Sequence, residues 1–502
     1  MVLQLSYTGS LIALAIAPLV YLAVTAVYNL FFSPLSRFPG PPLWAISRVF
    51  YVRTLMKGDL TRRVKEFHDR YGPVVRLAPN ELSFIDGQAW QDVYGHHHGG
   101  APNFPKNPIQ SAPDEQGIDA IISANDADHA RYRRLLSHSF SDKVLREQEY
   151  LPQSYITLLM TRLRERAGSS DTAVVDISRW INFATFDIIG DLAFGESFHC
   201  LEQSNYHEWV TVMFSQFKTA IMILSMRYLG LEKPVRMMLP KSLKAKKGIH
   251  ASSANEKIRR RLAQGAEGTD AQRNDFMTYI LRYNNEKGMS VTEIECTFRF
   301  LVVAGSETIG TALTAMMGCL LKNPEMLDRV TQEVRQSFPN ASQMTSDAVS
   351  KLPYLAAVIE EGLRVCPPVS FGTPRVVPAG GAKVSGYHLQ AGTFVSCPGY
   401  ASNHSALNFP DSPSTFNPER WLSSDSKSLR SGAPGSPFNP FSIGPRNCLG
   451  RNLAYLEMRL ILANLLWQFD FEQMDKSYLW EKQKVFMVWQ KDPLMVKVKM
   501  RS

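Results

Sequence analysis

Apolar and polar positions along this chain follow three different rhythms in turn. Met1 to Ser36 carries no Asp, Glu, Lys or Arg, and from Leu11 to Phe32 almost every position is apolar. About 22 such residues reach about 33 Å as a helix, enough to cross a bilayer. Pro18 predicts a kink inside the run without preventing a span. A cleaved signal peptide is the alternative, since Ala13-Leu14-Ala15 and Ala15-Ile16-Ala17 are small-residue cleavage patterns. Against it, the run continues past those alanines and no basic stretch precedes it. Pro34, Pro39, Pro41 and Pro42 then predict an extended, semi-rigid spacer. Between Tyr71 and Asp86, Val74-Val75-Arg76-Leu77 and Leu82-Ser83-Phe84-Ile85 flank Pro79-Asn80 and predict a hairpin.

Thereafter the helical period dominates. It predicts helices over roughly 127–140, 144–167, 178–194, 205–228, 247–264, 274–284, 291–322 and 324–336, one from Leu352 to Arg364, and one from Arg451 to Phe469. Short strands are expected near 374–377, 383–388 and 393–396, coil rich in Pro, Asn and Ser over 402–441, and a hairpin near Phe486-Met487-Val488. No repeat interrupts this order. The fold class is mainly α with a small β portion (α+β), organised as residues 1–33, an N-terminal transmembrane anchor; 34–45, a proline-rich hinge; and 46–502, one large domain.

Composition narrows the possibilities. The net charge of +9 over 502 residues is spread, with no basic tract interleaved with aromatics, which argues against nucleic acid and weakly for an acidic protein partner or an anionic membrane. The first basic residues, Arg37, Arg48, Arg53 and Lys57, follow the apolar span and place the body on the cytosolic side. Asn340-Ala-Ser342 and Asn403-His-Ser405 match the glycosylation pattern, and with that orientation neither is expected to be modified. Cysteines at 200, 296, 319, 366, 397 and 448 form no C-x-x-C pair, which excludes a zinc pattern and fits a reducing compartment. His96-His97-His98 before Gly99-Gly100 reads as an exposed loop rather than a metal site.

Candidate chemistry collects at a few places. Cys448 stands behind Gly444-Pro445-Arg446-Asn447 and just ahead of a helix, where the helix end favours a thiolate. Gly444 and Gly450 would let the backbone turn tightly and approach something bulky. A buried structural cysteine in a Gly/Pro turn is the plainer reading. In the central apolar helix, Glu307-Thr308 puts an acid beside a hydroxyl next to Ala304-Gly305; a carboxylate buried there needs a partner. The alternative is a surface-facing Glu with a back-bonded Thr. Glu361 and Arg364, three apart, can pair on one helix face. His129 and Arg133, four apart, form a donor pair.

Phe441-x-x-Gly444-x-Arg446-x-Cys448-x-Gly450 resembles the haem-binding loop of the cytochrome P-450 family. That resemblance implies a haem b cofactor with Cys448 as the axial thiolate on iron. It implies that Ala304 and Gly305 leave room for O₂ while Glu307 and Thr308 relay protons. Glu361, Arg364 and, after Pro418-Glu419, Arg420 would form a buried triad under the haem. His129, Arg133, Arg375 and Arg446 would hold the propionates, with His129 where the family usually has Trp. No dinucleotide fingerprint is present, so electrons would come from an NADPH-cytochrome reductase on the same endoplasmic reticulum membrane, docked against Arg131, Arg134, Lys143 and Arg146. The loop 102–123, the helices from Phe214 to Leu231, Val369 to Thr373 and the 486–488 hairpin would wall a pocket for a lipophilic substrate. Arg76-Leu-Ala-Pro-Asn80 and Gly372-Thr-Pro-Arg375 are similar to filamentous-fungal secondary-metabolism members. The implied activity is monooxygenation. A haem-thiolate isomerase or dehydratase, and a non-catalytic haem sensor or carrier, are the rival readings.

Overall fold

One helix, Val291–Lys322, runs through the middle of the body and sets the position of everything else. Ser290 starts it with a capping box: its side chain accepts from the Glu293 backbone while the Glu293 carboxylate accepts from the backbone of Ser290. Because apolar residues surround its axis, most of its length is buried, chiefly against Ile177–Phe194, itself buried nearly throughout. Gly305 and Gly310 permit that approach. A Cβ at Gly305 would lie 2.8 Å from Ile189 Cδ1, and one at Gly310 would lie 2.0 Å from Asn182 Oδ1. The glycines therefore offset their low helix propensity through close helix packing. Around this pair stand Tyr150–Gly168, Pro324–Ser337, Pro353–Val365 and Arg451–Gln468, joined in one hydrophobic core.

The computed structural model describes residues 2–97, 99, 101–111, 117–168, 173–238, 255–265 and 275–501. Residues 247–254 of the expected 247–264 helix, His98 and Gly100 lie outside them. The expected 144–167 helix divides into Asp142–Glu147 and Tyr150–Gly168, since Pro152 lacks an N–H and is tolerated only in a first turn. Helices Val49–Met56, Leu60–Tyr71 and Gly87–Tyr94 were not expected from the sequence.

The strands are β1 (Val74–Ala78), β2 (Glu81–Phe84), β3 (Val174–Asp176), β4 (Arg375–Val376), β5 (Ala382–Val384), β6 (Tyr387–Leu389), β7 (Phe394–Ser396), β8 (Phe469–Gln473), β9 (Lys484–Phe486), β10 (Val488–Gln490) and β11 (Met495–Met500). The main sheet runs β1-β2-β7-β4, with β2 and β7 parallel. A second runs β3-β11-β8, and β5–β6 and β9–β10 are hairpins. The single strand expected at 383–388 is thus a hairpin, turned by Ser385 and Gly386 at φ 46° and 86°.

At the N-terminus a helix covers Val2–Val27, Pro18 included, and continues as a π turn, Tyr28–Phe32. Leu19, Leu22, Val24, Phe31 and Phe32 point outward and are exposed. The proline-rich segment is not an extended spacer. Ser33 to Phe38 form turns, Leu35 and Phe38 are buried on the flank of the main sheet, and Pro42–Ile46 is a short helix. Apolar side chains between the prolines find a surface to cover, which outweighs the extended preference. Arg76, only 2% exposed, ties this region down, donating to Asn29 O at 2.6 Å, Ser33 Oγ at 3.3 Å and Pro79 O at 2.7 Å.

Candidate active site

The Cys448 loop is built by backbone geometry. Cys448 N–H donates to Phe441 O at 2.8 Å, closing the loop, and the Phe441 ring packs on Tyr455. Gly444 is at φ 73°, and a Cβ there would lie 1.9 Å from the Tyr94 carbonyl oxygen. No other residue fits. Gly450 differs: its φ is −86° and an added Cβ would meet only Phe140, at 4.0 Å, so the chain's own packing does not demand glycine there. Cys448 alone of the six cysteines is exposed; Cys319 is half-buried and the others are buried. Surrounding protein raises its pKa by desolvation, and the Gly450 N–H, Arg133 and Arg451 oppose that only in part. The expected lowering by the helix end is therefore outweighed in the protein alone.

Cations converge beside this loop. Arg375 on β4 is 7% exposed, and Lys106 pairs with it across an isolated bridge. Arg446 donates to Ala124 O and Asp126 Oδ1, both at 2.7 Å. His129 is buried on Asp126–Leu136, a helix capped by Asn125. Burial, then Arg446, Lys106 and Arg133, pushes His129 down to about 4. Burial, then Arg446 and Arg375, pushes Lys106 down to about 7. Arg375 Nε and Arg446 Nη1 are buried donors without a hydrogen-bond partner. Such a crowd of mutually repelling, under-used donors is suited to carboxylates, so the two propionates of haem b fit it. Lys106 was missed in the sequence, where one lysine between prolines and asparagines gives no signal. Arg133 is placed differently from the rest: its two terminal nitrogens donate to Asn447 O and Oδ1, gripping the Cys448 loop itself.

On the central helix, burial is relieved midway, from Arg299 and Phe300 on to Thr308. Val303, Ala304, Gly305 and Thr308 are half-buried while Val302, Ser306, Glu307 and Ile309 are buried, so one side of the helix is open along this stretch. Thr308 donates its hydroxyl to Ala304 O at 2.6 Å, leaving its lone pairs available. Glu307 is buried rather than surface-facing, and it does not bond to Thr308. Lys491 donates to its Oε1, as does Thr311 at 3.3 Å, while Oε2 is buried with no partner. Desolvation raises the Glu307 pKa against the pull of Lys491. The Cβ position of Gly305 faces Ile189 Cδ1 at 2.8 Å, so that glycine serves helix packing.

Glu361, Arg364 and Arg420 do meet. Arg364 Nε and Nη2 donate to the two Glu361 oxygens at 2.8 and 2.7 Å, and Arg420 Nε donates at 3.3 Å. Arg364 further donates to Asn403 O, Pro413 O and Thr415 O. Glu361 also accepts from Trp421 Nε1 and Asn417 N, both at 2.8 Å. One buried ion pair thus holds the coil over 403–421 in place.

The expected docking patch is only partly available. Arg131 is bound to Glu293 and Asp128, joining its helix to the start of the central one. Arg146 pairs with Asp142, while Arg134 and Lys143 are exposed. Asn403 is 2% exposed and donates to Arg364 O, so only Asn340, which is exposed, could carry a glycan on the folded chain. Among the described residues no His/Cys/Asp/Glu cluster suited to a metal ion is found.

Comparison with known proteins completes the assignment. The family model of cytochrome P-450 matches residues 38–498. The chain is 42% identical to cytochrome P-450 monooxygenase astJ of Aspergillus oryzae, over 95% of this chain and 94% of that one. It is 40% identical to cytochrome P-450 monooxygenase atr2 of Stereocaulon alpinum, over 98% and 96%, and 39% identical to averantin hydroxylase of Dothistroma septosporum, over 97% and 90%. With a match of this extent and a loop, cation cluster and central helix suited to haem b, the chain belongs to the cytochrome P-450 family of haem-thiolate monooxygenases.

Proposed function

We propose that this monooxygenase oxidises a lipophilic small molecule, by hydroxylation or a related step, in fungal secondary-metabolite biosynthesis. The observation that carries the reading is the exposed Cys448 beside buried, partnerless donors on Arg375 and Arg446. Bound through a thiolate, haem activates O₂ and supplies one oxygen atom to the substrate. Cys448 would be that ligand, in a loop held by Phe441, Gly444 and Arg133. Arg375, Arg446, His129 and Lys106 would hold the propionates. The half-buried Thr308 and the buried Glu307 next to it in the chain would deliver protons. Relatives named as monooxygenases, and one as a hydroxylase, support the reaction class.

An NADPH-cytochrome reductase would supply electrons, docking on exposed cations such as Arg134, Lys143 and Arg451. The outward apolar N-terminal helix would anchor the chain in the endoplasmic reticulum membrane, and the positions of Arg37, Arg48 and Arg53 support a cytosolic body. A reduced-CO difference spectrum tests the centre: a thiolate-type Soret band is expected and Cys448→Ser should abolish it. Correctly folded protein without that band overturns the proposal. NADPH consumption with reductase and O₂ separates it from an isomerase, a dehydratase or a haem carrier.

A further inference from the structure

Lys491 is the cation that the fold brings to the buried Glu307 carboxylate, from 184 positions further along the chain. Its placement is fixed on both sides. Just before it, Trp489 is 1% exposed and donates Nε1 to Pro367 O at 2.8 Å; just after it, Leu494 N–H donates to Asp176 Oδ1 at 3.1 Å. The Lys491 ammonium donates to Glu307 Oε1 and to Thr311 Oγ1, the latter at 3.1 Å, and Thr311 donates to the same carboxylate oxygen. Both ends of the pair are nearly dry, with side chains 7% and 2% exposed. Oε1 is thus fully engaged, and Oε2 is left as a buried acceptor with no donor.

We infer that Lys491 is a positioning residue for proton delivery, holding Glu307 ionised with Oε1 fixed and Oε2 free to take up and pass on a proton. A carboxylate this buried would stay protonated without a cation, and a protonated acid cannot accept the next proton. The lysine therefore resets the acid after each transfer: one proton arrives at Oε2, the same proton leaves toward the Thr308 side, and the ion pair is restored. This rests on the proposed relay role of Glu307 and Thr308, and the test keeps the two apart.

The haem-loaded enzyme with reductase, NADPH and O₂ is assayed without added substrate. Peroxide release takes two electrons and two protons, whereas water formation takes four of each, so peroxide released per NADPH consumed reports proton supply. Lys491→Met and Glu307→Gln should each cut the water-forming flux by at least about tenfold, shift the yield toward one peroxide per NADPH, and leave the reduced-CO band intact. Lys491→Arg should restore the wild-type partition, and Lys491→Gln, which keeps polarity without charge, should not. If Glu307→Gln shifts the partition and Lys491→Met does not, the lysine inference fails while the relay stands. If neither shifts it, the relay itself fails. Loss of the band in Lys491→Met without rescue by Lys491→Arg would make the lysine purely structural and overturn the inference.

Discussion

Replacing Arg364 with methionine tests the coil support most directly. The Arg364–Glu361 pair has both side chains at 0% exposure, and Arg364 spends its guanidinium on the two Glu361 oxygens and three carbonyls. Methionine keeps much of the volume and none of the donors. Glu361 would retain Arg420, Trp421 and Asn417, so its loss lies at the low end for a broken buried pair, about 3 kcal/mol. Asn403 O, Pro413 O and Thr415 O would each forfeit a charged donor, about 1 kcal/mol apiece. The sum, about 6 kcal/mol, is comparable to the whole stability of many domains. The assay is the guanidinium midpoint of haem-loaded protein by tryptophan fluorescence, with yield as a second reading. Arg364→Lys, which keeps the charge but loses the fork, should fall between methionine and wild type. The control is Arg63→Ala, whose pair with Glu66 is 52% and 55% exposed and should matter by less than about 0.5 kcal/mol. An Arg364→Met midpoint as little changed as that control would refute the reasoning.

Gly444→Ala combines a left-handed backbone with a backbone clash and should cost at least about 2 kcal/mol, read as a loss of folded, haem-binding protein; Gly450→Ala, checked by the same measurement, should leave the bare chain folded. His68 is buried between Gly72 O and Ser83 Oγ, and burial pushes its pKa down to about 4. The unfolded chain takes up that proton first, so the contribution of neutral His68 is complete above pH 6.5 and is lost as pH falls toward about 4, about 3 kcal/mol in all. His68→Gln should flatten that part of the stability–pH curve relative to wild type. Peptide mass analysis of protein made in a eukaryotic host should find Asn403 unmodified in any orientation and Asn340 unmodified if the body is cytosolic.

The sequence exposed the elements whose signals are local and long. The central helix could be read to its ends because Ser290 caps it and Asn323-Pro324 terminates it. Glu361, Arg364 and Arg420 were legible as types at spacings, but Trp421 and the three carbonyls that complete their network are set by tertiary folding. The three-stranded sheet was missed although β8 and β11 alternate apolar residues with Asp470, Glu472, Lys497 and Lys499, because β3 is only three residues long and lies far from both along the chain. Glu307 could be flagged as needing a partner, yet nothing along the chain singles out Lys491 among 55 basic residues. Arg133 and Arg131 look like free cations in one dimension and are committed to Asn447 and Glu293 in three.

The N-terminal junction decides where a version of this enzyme without its outward apolar helix can be cut. Arg76 takes two of its three acceptors from Asn29 and Ser33, which precede the prolines. Asn29 in turn donates to Ile46 O. A chain trimmed to begin at Pro34, the obvious choice from the proline pattern, would leave the Arg76 guanidinium only Pro79 O of its three acceptors. One that keeps Tyr28 to Ser33 removes the outward apolar helix and leaves the body's own contacts whole.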